Sequence, residues 1–190
     1  MRTAIINYLI IIILVSTACK KEQEKIVFDI YYPRSTEHGS FTALKNGIKW
    51  AAGGLSHYYK EGGIIKEFVG IDGYTFFDND TNNVPYTIEN MSFSNFALNV
   101  GKYKLRQYNR KGNTFKEGEG VFRYGYFEDD AEVNPFELVP EADNFMEVTK
   151  VDSLHIEGRF DVTCKGKYKI KGVTHVYRFS EGKFNVLLKK

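Results

Sequence analysis

Residues 154–165 read Leu154-His155-Ile156-Glu157-Gly158-Arg159-Phe160-Asp161-Val162-Thr163-Cys164-Lys165. Leu154, Ile156, Phe160, Val162 and Cys164 fall at alternate positions, with the neutral Gly158 in the same series. Every intervening residue is polar or charged. A pleated strand sends successive side chains to opposite faces, so this pattern makes one apolar and one polar face. On a helix the same residues would scatter around the axis. The segment predicts a half-buried β-strand, with Gly158 marking a bend or bulge.

Period-two alternation continues on both sides of this stretch. Asn46-Gly47 lies between Phe41-Thr42-Ala43-Leu44-Lys45 and Ile48-Lys49-Trp50-Ala51-Ala52. Both turn residues tolerate positive φ, which predicts a two-residue hairpin with Ala43 opposite Trp50. Asp72-Gly73 predicts a second such turn between strands at 64–71 and 74–78. Further strands are expected at 26–32, 91–98, 102–108, 120–127, 144–151, 167–171, 174–179 and 183–188. The segment 134–143, with two of the four prolines, reads as a loop or one short turn. No stretch past residue 25 has a helical period with caps, and an aromatic content of 15% suits a β core. The expected fold is all-β: a single antiparallel β-sandwich or lipocalin-like barrel of about ten strands.

The first 18 residues follow a different logic. Arg2 precedes an apolar run at 8–15, and Ser16, Thr17 and Ala18 follow it. That is the order of a secretory signal. The run is well short of the ~20 apolar residues of a spanning helix, so it reads as an export signal. Three parts are expected: a lipoprotein signal peptide at 1–18, Cys19 with a charged tether at 19–25, and a β domain at 26–190. Val15-Ser16-Thr17-Ala18-Cys19 resembles a bacterial lipobox. The resemblance implies cleavage before Cys19, a thioether-linked lipid on its sulfur, and anchoring in the cell envelope at the outer membrane. The alternative is an ordinary signal peptide that leaves Cys19 as a free N-terminal cysteine. Lys20-Lys21-Glu22-Gln23-Glu24-Lys25 has no apolar member and reads as a solvated tether.

The resemblance extends into the body. Phe41-Thr42-Ala43, Asn46-Gly47 and Trp50 look like the opening of a group of Bacteroidota lipoproteins. Asn144-Phe145-Met146-Glu147-Val148-Thr149, residues 154–160, and Gly182-Lys183-Phe184-Asn185-Val186 are similar to its later landmarks. The resemblance implies a secreted β-sandwich or lipocalin-like barrel, and no catalytic residue.

Composition bounds the partners. With 26 Lys and Arg against 24 Asp and Glu, there is no electrostatic case for nucleic acid. Of the two cysteines, Cys19 is the expected lipid site. Cys164 lies on an apolar strand face and is expected buried and inert. The rival arrangement is a Cys19–Cys164 disulfide.

Signals for chemistry are sparse. His38, His57, His155 and His175 show no metal-ligand spacing, and CxxC and HExxH are missing. Gly54-Leu55-Ser56-His57-Tyr58 begins like a nucleophile elbow but lacks the closing glycine. Gly118-Glu119-Gly120 runs into a strand with no helix N-terminus to hold a phosphate. Asp78, Asp80, Asn82 and Glu89 match positions 1, 3, 5 and 12 of a calcium loop, with Asn83 in place of the glycine and Pro85 inside it. The alternative there is a polar hairpin loop. Glu128-Asp129-Asp130 and Glu132 form an acidic run suited to a solvated connection.

No cofactor and no metal are expected. The leading expectation is a non-catalytic binding or structural module on a membrane. Tyr58 and Tyr59, in a glycine-flanked loop, would contact a glycan or a protein. A carrier of a small apolar ligand and a carboxylate-based hydrolase are the competing readings.

Overall fold

The computed structural model describes residues 31–33, 36–59, 68–77, 87–128, 131–169 and 172–188. The expected signal peptide, Cys19, the tether and Asp78, Asp80 and Asn82 lie outside these residues. The described chain is eleven strands and one 3-10 turn, Thr36–His38. The strands are β1 (Tyr31–Pro33), β2 (Gly39–Lys45), β3 (Ile48–Tyr59), β4 (Phe68–Phe77), β5 (Thr87–Ala97), β6 (Gly101–Gln107), β7 (Glu119–Glu128), β8 (Ala131–Leu138), β9 (Phe145–Val151), β10 (His155–Gly166) and β11 (Val176–Leu187). Together they form a closed β-barrel.

Closure is antiparallel from β10 through β11, β2, β3, β4 and β5 to β7. The seam between β7 and β10 is split. At one end β8 bridges them, pairing β7 through residues 131–136 and β10 through 136–138. At the other end β6 and β9 lie side by side in the same gap. The barrel is therefore one strand wider at that end. β6 enters parallel to β7, so the sheet is not wholly antiparallel as the sequence suggested.

Two side-chain amides fill the fork where this seam divides. Gln107 Oε1 accepts from the Leu138 N–H at 2.7 Å, and its Nε2 donates to the Phe136 carbonyl at 3.2 Å. Asn144 Oδ1 accepts from the Thr163 N–H at 2.7 Å, and its Nδ2 donates to the Val139 carbonyl at 2.8 Å. Each acts as a substitute peptide for backbone groups that a diverging strand would leave unpaired.

The interior is filled by aromatic side chains. Phe41 of β2 and Phe160 of β10, the two strands that flank β11, meet Phe93 of β5 from farther round the barrel. Phe41–Phe93 centroids are 6.4 Å apart, Phe41–Phe160 6.2 Å and Phe93–Phe160 5.2 Å. Trp50 and Tyr124 pack against Phe179 at 5.3 and 5.1 Å. These spacings are those of directly packed ring pairs. Among the described residues, the middle of the barrel is thus a packed aromatic core.

The Asn46-Gly47 turn forms as expected, with φ of 52° and 82°, and Ala43 pairs with Trp50. Gly158 lies at a bulge between β9 and β10, also as expected. A Cβ there would sit 2.1 Å from the Glu147 carbonyl oxygen and 2.2 Å from the Phe184 ring. Since backbone blocks one side and a buried ring the other, neither can give way cheaply. Gly158→Ala is expected to destabilise by about 3 kcal/mol, whereas Gly120→Ala, with its nearest contact at 3.4 Å, should be far milder. Equal denaturation midpoints for the two variants would contradict this packing.

Four sequence expectations change. Asp72-Gly73 is not a turn but the middle of β4, paired with Leu55 and Gly54. Glycine is used there for contact: a Cβ on Gly73 would meet Phe41 Cγ at 3.1 Å. The strands expected at 174–179 and 183–188 are one strand, β11, because a bulge at Ser180–Lys183 absorbs the intervening residues and Glu181 adopts φ 54°. Residues 134–138, expected as loop, belong to β8. Pro135 precedes the first residue of β8 paired with β10, so it lies where the strand has one neighbour and a missing N–H is tolerated. Residues 167–169 form a bend and not the start of a separate strand.

Candidate functional site

One end of the barrel interior is polar. Lys45 follows Phe41 and Ala43 on the inward face of β2, and Glu89 precedes Met91 and Phe93 on the inward face of β5. Strand periodicity therefore carries both charges inside, where Lys45 Nζ lies 2.8 Å from Glu89 Oε1 and the carboxylate is fully buried. Buried charges need partners, and these have several. The Tyr124 hydroxyl donates to Glu89 Oε1, and the Thr75 hydroxyl donates to Glu89 Oε2 at 3.4 Å. Lys45 Nζ also donates to the Tyr126 hydroxyl at 3.3 Å and lies 4.0 Å from the Tyr177 ring centroid. Tyr126 in turn donates to the Tyr177 hydroxyl at 3.0 Å.

Burial lowers the proton affinity of Lys45, and the charge of Glu89 opposes that without fully offsetting it. Burial pushes Tyr124, Tyr126 and Tyr177 up, with the Glu89 charge adding to it, so all three stay neutral, Tyr124 and Tyr126 as donors and Tyr177 as the acceptor of the Tyr126 hydroxyl. The cluster is a hydrogen-bonded network around one ion pair. In the same layer, buried Asn134 has both amide atoms without a protein partner.

The outer wall carries a second feature. Over β2, β9, β10 and β11, an open depression of about 370 Å³ is lined by Ser40, Thr42, Thr149, Arg159, Lys183 and Asn185 among others, with Gly158 and Phe184 at its base. Gly158, at the bulge between β9 and β10, is part of this lining. Arg159 is held by Glu147 at 2.7 Å and Glu157 by Lys150 at 2.8 Å. Lys183 has no carboxylate within ion-pair distance among the described residues. The lining offers hydroxyl, amide and cationic groups, together with the Lys150-paired carboxylate of Glu157, on a partly apolar base.

The residues singled out from sequence are dispersed. Glu89 is consumed by Lys45 inside the barrel, so it does not serve as a twelfth ligand of a calcium loop; Asp78, Asp80 and Asn82 lie outside the described residues. Among the described residues no group of three or more His, Cys, Asp or Glu could hold a metal. Ser56, His57 and Asp72 come from paired strands but do not converge. His57 Nε2 meets Asp72 Oδ2 at 2.8 Å, while Ser56 is buried and donates to the Leu187 carbonyl at 2.6 Å. Tyr58 and Tyr59 belong to β3 and not to a loop. Glu132 of the acidic run is bound by Arg110 at 2.6 Å and Arg123 at 3.2 Å. Burial works to raise its proton affinity, and the hydrogen bonds from Arg123 and Arg110 outweigh it.

Cys164 is a free, fully buried thiol, as expected, while Cys19 lies outside the described residues. Burial pushes its proton affinity up, keeping it a thiol. Sequence reading missed the Lys45–Glu89 pair. The available signal was that both charges continue an inward-facing alternation. No known protein family, curated protein or solved structure matches this chain.

Proposed function

We propose that the chain is a lipoprotein held at a bacterial outer membrane by lipid on Cys19, and that its barrel is a non-catalytic module binding a saccharide in the depression over β2, β9, β10 and β11. The observation that carries this reading is the filled interior. Rings from β2, β5 and β10 meet at 5.2 to 6.4 Å, which leaves recognition to the outside of the barrel. The same packing weighs against a carrier with an internal ligand chamber. Hydroxyl and amide groups beside Lys183 and Arg159 suit a hydroxyl-rich ligand bearing an acidic group.

Two measurements test this. Cells fed an alkynyl palmitate should label the wild-type chain, while Cys19→Ala should remain unlabelled and leave the membrane fraction. Acidic oligosaccharides titrated onto the protein should bind, and Lys183→Glu should weaken binding by about tenfold, as expected for removing a charged contact. A labelled Cys19→Ala chain would refute the anchor. Unchanged affinity in Lys183→Glu would refute the binding site.

A further inference from the structure

The geometry points to the Lys45 end of the barrel as the face that rests on the lipid bilayer, with its exposed apolar rim inserted among the headgroups. This inference rests on the lipid-anchor reading above but concerns orientation, which an anchor alone does not determine.

The first observation is where the chain enters. β1 pairs antiparallel with the last residues of β4, Tyr31 with Phe77 and Pro33 with Thr75. Thr75 donates to Glu89, the partner of Lys45. Tyr31 therefore lies beyond the Lys45 layer, at the outer edge of that end. Everything from Cys19 to the barrel joins there.

The second observation is independent. Among the described residues, seven large apolar side chains are exposed: Ile48, Val100, Val133, Leu154, Tyr168, Val173 and Val176. Five of them belong to the end where the chain enters. Ile48 follows the Asn46-Gly47 turn, Val133 lies near the β7–β8 connection, and Tyr168, Val173 and Val176 come from the β10–β11 connection and the start of β11. Only Val100 and Leu154 are on turns at the opposite end. Single exposed apolar residues mean little, but a rim of them around one end marks a contact surface.

Charge does not drive this contact. Lys165, Lys167 and Lys169 are exposed at the rim, but residues 129–130, which lie between β7 and β8 in the sequence, are both aspartate. With both signs present, apolar insertion carries the docking, and Tyr168 and the lysine stems suit the water–hydrocarbon boundary. The twelve-residue stretch before Tyr31 spans up to about 40 Å if extended, so the tether permits other orientations. The rim selects among them.

The test uses the full chain purified from membranes and placed in zwitterionic phosphatidylcholine vesicles. An environment-sensitive fluorophore is attached at Val173→Cys or Val176→Cys on the rim, and at Val100→Cys or Leu154→Cys on the far end. Cys164 is buried and remains unlabelled in the folded protein. Rim probes should shift to the blue and be quenched by spin-labelled lipid about threefold more than far-end probes. Equal quenching at both ends, or stronger quenching at Leu154→Cys, would overturn the orientation. Rim-to-rim crosslinks between chains would overturn it in favour of a second copy on that face. Acylation is read separately by intact mass. If Cys19 proves unmodified, the anchor reading fails. The rim inference then stands only if the Val173→Cys probe still shifts when vesicles are added to the unanchored chain.

Discussion

Lys45→Met is expected to destabilise the barrel by about 3–5 kcal/mol, because it strands the Glu89 carboxylate inside the fold with hydroxyl donors but no counter-charge. For a domain of this size that corresponds to a fall in Tm of roughly 10 °C.

In the wild type the ion pair carries its own cost, since burial lowers the proton affinity of Lys45 despite Glu89. A lysine with lowered affinity is less favourable in its charged form when folded than when unfolded. Neutralising both partners should therefore be tolerated better than removing one. Lys45→Met with Glu89→Gln keeps an acceptor for the Tyr124 hydroxyl and should recover most of the lost stability. A double-mutant cycle by urea denaturation measures this. A double variant less stable than Lys45→Met would show that the pair contributes net stability, contrary to the expectation here.

Phe93→Ala is expected to cost a similar 3–5 kcal/mol for a different reason. The ring is fully buried between β5 and the β2–β11–β10 stretch of the sheet, and it touches Phe41, Phe122 and Phe160. The walls are tied by a closed hydrogen-bonded ring and cannot collapse inward, so much of the removed volume should persist as a cavity. An apolar cavity of this kind stays dry and admits benzene or xenon. Added benzene should raise the Tm of Phe93→Ala and leave the wild type unchanged. A small loss of stability, with no response to benzene, would mean the interior is loosely filled and would reopen the internal-ligand reading.

Much of this architecture was legible in the amino-acid sequence. Alternation in 154–165 places Ile156, Phe160, Val162 and Cys164 inside, since only a strand gives that period. Asn46-Gly47 specifies its hairpin and the Ala43–Trp50 register, because few residues accept positive φ twice in succession. Gly158 marks its bulge for want of space. These are local properties, carried by neighbouring residues.

What the tertiary structure alone decided is non-local. Asp72-Gly73 has turn chemistry, yet it continues β4 because Gly73 is needed where Phe41 crosses. Residues 134–138 look like a proline loop, yet they become β8 because the split seam needs a bridge with one free side. Lys45 and Glu89 are separated by 44 positions, and nothing near either residue announces the other. Barrel closure brings the two strands' inward faces together, and only then do two charges that alternation had already turned inward become a pair. The same closure, by setting β1 against the end of β4, determines which end of the barrel receives the chain from Cys19. Pattern encodes which face a residue takes; which faces meet depends on how the ring closes.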